Sequence, residues 1–202
     1  MLSDLLQHPG VREEVELRSA FGFLAFHGGG LERMTEVIAA EAAARAGASL
    51  YALVQPPDLR WHIPSHQVRP EESAALAGFI DRVEVVVAIH GYGRAGRWTD
   101  LLVGGSNRDL AAHLGRHLRG ALPDYRVVDE LDAIPPELRG LHPANPVNLP
   151  PAGGAQLELP PRVRGLTPHW RGWAGPGLVP PMEALVSALA AAATAWPLAT
   201  PR

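Results

Sequence analysis

Cysteine is absent from all 202 residues. That excludes disulfides, thiolate nucleophiles and cysteine-based zinc fingers, so any metal must be held by histidine and carboxylate. Lysine is absent too: all 18 basic residues are arginine. Beside many Ala, Gly and Pro, this reads as compositional bias of the genome rather than a device. The formal net charge of −3 offers no basic excess, so neither nucleic acid nor an anionic membrane surface is an expected partner, although a local arginine pocket stays open. No apolar run is long enough to span a bilayer. The most apolar stretch, Leu185–Ala195, lies between Pro181 and Pro197. The first residues lack the basic and apolar regions of a secretory signal, which makes a cytoplasmic protein the expectation. Neither a G-x-x-x-x-G-K-[ST] phosphate loop nor a G-x-S-x-G nucleophile elbow occurs.

What is present is a run of short apolar segments alternating with helical patterns. Ala20–Phe26, Leu50–Val54, Val83–Ile89, Asp100–Val103, Tyr125–Val128 and Gln156–Leu159 read as strands. Helices are expected over Thr35–Ala46, Pro70–Arg82, from Ser106 or Asn107 to Leu122, and over Pro181–Trp196. Residues 1–17 form a short helix or an extended lead-in. The pattern predicts one α/β domain over residues 1–202: a three-layer open, mostly parallel or mixed twisted sheet with helices on both faces. The proline-rich stretch 135–151 reads as a functional loop, because a strand follows that needs the same sheet.

Two strands end alike. Phe21–Phe26 runs into His27 and three glycines, and Val83–Ile89 runs into His90 and Gly91. Ligands gather at the carboxyl ends of strands in open α/β sheets. His27 and His90 could therefore meet, with Glu32 or Glu36 folding back beside them. Two imidazoles and a carboxylate suit a catalytic zinc with one position open. Glu158, a carboxylate in an apolar strand, either points to water or serves as general base. Gly91–Gly96 matches G-x-G-x-x-G, but loop and strand follow where a dinucleotide site needs a helix. His113 and His117, at i and i+4 among arginines, read as a solvated helix face.

The order and spacing of several motifs resemble the poly-γ-glutamate hydrolase family. They are His27-Gly-Gly-Gly-Leu-Glu32 with Glu36, Trp61–His66, Ile89-His90-Gly91, Val103–Asn107, His142–Asn148, and Gln156–Leu159 followed by Arg162 and Arg164. The resemblance covers about residues 18–165, with departures at Pro64 and Gln67–Arg69. Members are phage and bacterial zinc hydrolases with a zinc-carboxypeptidase-like fold. The resemblance implies zinc as cofactor, held by His27, Glu32 and His90, and Glu158 as the carboxylate that activates water. It also implies substrate contacts at His62, Ser65, His66, Asn107, Arg162 and Arg164, and an anionic peptide or γ-linked polyglutamate as substrate. The readings carried forward are a zinc hydrolase of γ-glutamyl amide bonds, a zinc amidohydrolase or deacylase acting on a small N-acyl amino acid, and a catalytically silent binder of an anionic polymer.

Overall fold

The computed structural model describes residues 1–198, so the last four residues of the domain expected over 1–202 lie outside the described residues. The ambiguous lead-in resolves into both of its possibilities, helix α1 (Leu2–Leu6) and strand β1 (Arg12–Glu16). Strands β2 (Phe21–Gly29), β3 (Ser49–Gln55), β4 (Val85–Gly91), β5 (Asp100–Gly104), β6 (Arg126–Val128) and β7 (Gly154–Leu159) follow. Helices α2 (Thr35–Ala46), α3 (Ala74–Arg82), α4 (Arg108–Ala121) and α5 (Pro180–Ala195) connect or follow them. The helix expected from Pro70 is broken. Pro70–Glu72 is a single 3₁₀ turn, and the Ser73 hydroxyl then accepts from Leu76 N–H to start α3.

The seven strands form one sheet in the order β1-β3-β2-β4-β7-β5-β6. The inner pairs β3–β2, β2–β4 and β4–β7 are parallel, as is β5–β6, whereas β1–β3 and β5–β7 are antiparallel. Side chains alternate across a strand, and both faces are covered. Phe21, Phe23, Val85, Val87, Ile89, Ala155 and Leu157 pack beneath α2, α4 and α5. Leu24, Phe26, Tyr51, Val86 and Ala88 pack beneath α1 and α3. Burial on both faces explains why the inner strands read as nearly continuous apolar runs rather than as alternating ones.

The two antiparallel pairings decide what reaches the site. β2, β4 and β7 deliver their carboxyl ends to one rim of the sheet, whereas β5 runs the other way and delivers Gly104 to the opposite rim.

Candidate metal centre

His27 owes its position to an irregularity in β2. Ala25 pairs with Ala52 and Gly28 with Val54, so Phe26 and His27 together face Leu53 alone. Such a bulge re-aims a side chain at a strand end, and here it brings the His27 ring to 5.1 Å from the ring of His90. Gly29 then turns the chain at φ +72°, where any side chain would collide with the Gln55 backbone. Past the glycines, Glu32 N–H donates to the His27 carbonyl at 2.9 Å, which folds Glu32 back over the strand it has just left.

The Glu32 carboxylate lies between both imidazoles. Oε1 is 3.0 Å from His27 Nδ1, Oε2 is 3.3 Å from His90 Nδ1, and Oε2 also accepts from Gly91 N–H at 2.9 Å. Burial alone would push this carboxyl up, but the neighbouring charges and hydrogen bonds of His90 and His27 outweigh it and hold Glu32 well below the usual carboxylate range. The same contest runs in reverse at His90: burial disfavours its imidazolium, yet Glu32 and Glu158 raise its pKa. Glu36, the competing ligand in the sequence, does something else. Its Oε2 accepts from Gly29 N–H at 3.0 Å and pins the glycine turn.

A cation fits this set. His27 Nε2 lies 2.9 Å from the Ile63 carbonyl and must donate to it. In the neutral ring the Nδ1 lone pair then faces an ionised carboxylate, an arrangement that needs either a proton or a metal between the two acceptors. An imidazole ligand that donates its other N–H to a carbonyl is the usual support for a bound metal. His90 Nε2 is buried without a hydrogen-bond partner among the described residues. One ligand atom from each of His27, Glu32 and His90 lies within 4.8 Å of the others, and this group could hold a metal ion.

Glu158 is the neighbour of His90 in register, on adjacent parallel strands and the same face of the sheet. It is buried and does not point to water. Burial, with the Glu32 charge adding to it and His90 opposing, pushes its carboxyl up to about 7. Gln156, two residues earlier on the same face, donates from Nε2 to Glu158 Oε1 at 2.8 Å, and Asn145 Nδ2 donates to Gln156 Oε1 at 2.9 Å. All three side chains of this chain of hydrogen bonds are buried.

A cleft of about 310 Å³ opens beside these groups, lined among others by His62, Ser65, His66, His142, Asn145 and Gln156. The His62 ring is 5.0 Å from that of His27, and the rings of His66 and His142 are 4.7 Å apart. Burial, and then the neighbouring charge of His27, lower the His62 pKa.

Matched against family models, the chain fits the one described as poly-gamma-glutamate hydrolase over residues 3–167. The chain belongs to the poly-γ-glutamate hydrolase family. Its fold agrees with solved structures. A bacteriophage poly-gamma-glutamate hydrolase superposes with a TM-score of 0.75 at 21% identity, covering 94% of this chain and 91% of the other. A zinc-free apo form of a protein called YNDL gives 0.73 at 21% identity, over 94% of this chain and 92% of that one. A gene product of Agrobacterium tumefaciens, Atu2144, gives 0.53 at 13% identity, over 89% and 94%. These likenesses establish the fold, the zinc-carboxypeptidase-like sheet expected from the motifs. A search of curated proteins returns no match.

Among the residues for which the family resemblance implies substrate contacts, the structure brings His62, Ser65 and His66 to the cleft and leaves three elsewhere. The structure places Asn107 away from Glu158. Asn107 follows the reversed strand β5, and its N–H donates to the carbonyl of Gly154, the first residue of β7. Four residues of strand, about 13 Å, separate that point from Glu158. Its side chain is spent on capping α4 through Leu110 N–H and on the Ala152 carbonyl. Arg164 is buried, and its guanidinium donates to the carbonyls of Leu159, Arg33 and Tyr92. It ties strand ends together instead of entering the cleft. Arg162 is exposed, its guanidinium 5.9 Å from the centre of the Tyr125 ring.

Gln156 and Asn145 were missed as partners of Glu158. The available signal was a second polar residue at i−2 in an apolar strand, which places Gln156 on the same face as the carboxylate. Loop residues 92–99 contain no helix, so Gly91–Gly96 lacks the element a dinucleotide site needs. The rings of His113 and His117 lie 4.8 Å apart on α4, tilted at 55°, with His113 Nε2 3.0 Å from the Ala192 carbonyl.

Proposed function

We propose that this chain is a zinc-dependent hydrolase of γ-glutamyl amide bonds. The observation that carries the reading is the union of the His27–Glu32–His90 cradle with a buried carboxylate, Glu158, at the adjoining register position of β7. Membership of the poly-γ-glutamate hydrolase family supports the substrate class, and the zinc-free form of YNDL supports zinc as the metal.

His27, Glu32 and His90 would hold the ion. Zinc, when bound, supplies a Lewis acid and makes a nucleophile available at neutral pH. Glu158 accepts the proton of the attacking water and delivers it to the leaving amine. A carboxyl lifted to about 7 can both take and return a proton at neutral pH. Gln156 fixes the orientation of that carboxylate through its amide N–H, and Asn145 fixes Gln156 in turn. The cleft lined by His62, Ser65, His66 and His142 receives the substrate next to the ion.

The test is incubation of the zinc-loaded protein with γ-linked polyglutamate, α-linked polyglutamate and N-acyl amino acids, counting newly formed amino groups. The proposal requires release from the γ-linked chain and none after Glu158→Gln. Release only from N-acyl amino acids would replace it with a deacylase. No release from any of the three would favour a silent binder.

A further inference from the structure

Two arginines stand beside the metal cradle without a task. Arg33 directly follows Glu32, and Arg60 lies two residues before His62. Both are exposed and line, with Trp98, a groove of about 460 Å³. The groove contains no carboxylate in its lining and shares no residue with the cleft of His62 and His142. Its remaining cation, Arg164, is engaged with carbonyl groups.

Elsewhere in the chain seven guanidiniums are matched to acids: Arg12, Arg18, Arg45, Arg94, Arg97, Arg119 and Arg139 each form an ion pair. Arg33 and Arg60 form none among the described residues, so the groove is left with uncompensated positive charge. Trp98 is 52% exposed and adds a large apolar surface to it.

A γ-linked glutamate chain keeps one free carboxylate on every residue, whereas a small N-acyl amino acid carries one in all. Guanidinium groups are suited to such carboxylates because they can donate two parallel hydrogen bonds. We propose that Arg33 and Arg60, with Trp98 beneath the chain, form a subsite that holds the free carboxylates of a γ-linked glutamate polymer beyond the bond being cut. The inference rests on the hydrolase reading above and adds which side chains grip the polymer and why a long substrate is preferred to a short one.

The subsite is tested by binding rather than turnover. Fluorescein-labelled γ-linked polyglutamate is titrated by anisotropy against zinc-loaded Glu158→Gln protein over a range of salt concentrations. The same titration is made with Arg33→Ala/Arg60→Ala added, and with Arg116→Ala/Arg126→Ala as a control of equal charge. The groove pair should weaken binding about tenfold at low salt and flatten its salt dependence, because exposed ion pairs are screened. The control pair should do neither. Zinc content monitors folding, and Arg33→Gln/Arg60→Gln replaces the alanine pair if zinc is lost. Unchanged affinity and salt dependence in the groove variant overturn the subsite, as does an equal loss in the control.

Kinetics with Glu158 intact separate the two proposals. A protein that binds the polymer through this groove yet cuts no γ-linked chain refutes the hydrolase reading and leaves the subsite standing. Cleavage with the same KM for polymer in the wild type and the groove variant refutes the subsite and leaves the hydrolase standing.

Discussion

At the scale of single residues, the site is a contest over protons among Glu32, His90 and Glu158. Replacing Glu158 by Gln keeps shape and burial but removes the basic oxygen. Turnover should fall by about 10²–10⁴ with zinc content unchanged, the range expected for loss of a general base. A retained turnover would show that Glu158 is not the base.

The same groups set a pH dependence in the metal-free protein. The folded pKa of Glu158 is raised to about 7 from an ordinary 4.5, so the fold favours its neutral form. That contribution is complete below the unfolded value and is lost as pH rises to about 7. The folded pKa of His90 is raised as well, so its contribution is present below the usual imidazole value and lost as pH climbs through the raised one. Glu32 acts oppositely, but its depressed pKa places its loss below pH 4.5. Between pH 5.5 and 8 the first two groups dominate. Each destabilises by up to about 1.4 kcal/mol per pH unit while it titrates. Thermal melts with chelator should therefore fall across this interval. Added zinc should restore more at pH 8 than at 5.5, because protons no longer compete for the imidazoles. A melting temperature that rises with pH in chelator would contradict this.

At the scale of elements, the strand ends carry the structure of the site. Gly29 at φ +72° abuts the Gln55 backbone, so Gly29→Ala should cost about 1–3 kcal/mol of stability, and it should weaken metal retention because Glu32 hangs from the same turn. Asn107→Ala tests whether this residue caps α4 or contacts substrate. Removing a helix cap should cost about 0.5–2 kcal/mol and leave KM for polyglutamate unchanged, as read from denaturant melts and steady-state kinetics. A raised KM at unchanged stability would return Asn107 to the substrate.

Much of this level was legible in the residues. The inner strands and α2 follow directly from apolar runs and from Gly47 as a stop, because local pattern and burial agree there. β1 was not legible: Arg12-Glu13-Glu14-Val15-Glu16 is an edge strand with little apolar content, held by pairing with β3 that only the folded chain provides. The break at Ser73 was masked because Pro70, Glu71 and Glu72 are all good residues for a first helical turn.

At the scale of the whole molecule, the direction of β5 is the feature that sequence could not supply. Apolar periodicity marks a strand but not its orientation, and the reversal of β5 against β7 moves Asn107 to the far rim. The meeting of His27 and His90 was legible because parallel β2 and β4 place their carboxyl ends together, whereas the choice of Glu32 over Glu36 and the role of Glu158 came from the family resemblance. Asn145 and the Ile63 carbonyl were not legible, since each acts through a contact between separate segments, whereas Gln156 left its trace two residues before Glu158. The arginines near the strand ends also sort only in three dimensions. Arg164 is consumed by carbonyl groups, Arg94 by Glu137, and Arg33 and Arg60 stay open to solvent. No helix among the described residues is long and apolar enough to cross a membrane.

The account depends most on the claim that two imidazoles and Glu32 hold a zinc ion beside Glu158. Its most direct test is elemental analysis of purified protein after zinc loading and gel filtration, made in parallel on Glu158→Gln, His27→Ala and His90→Ala. The account predicts about one zinc per chain in the wild type and in Glu158→Gln, and loss of the metal from both histidine variants. A wild-type chain that retains no zinc, or a His90→Ala protein that retains a full equivalent, would contradict it.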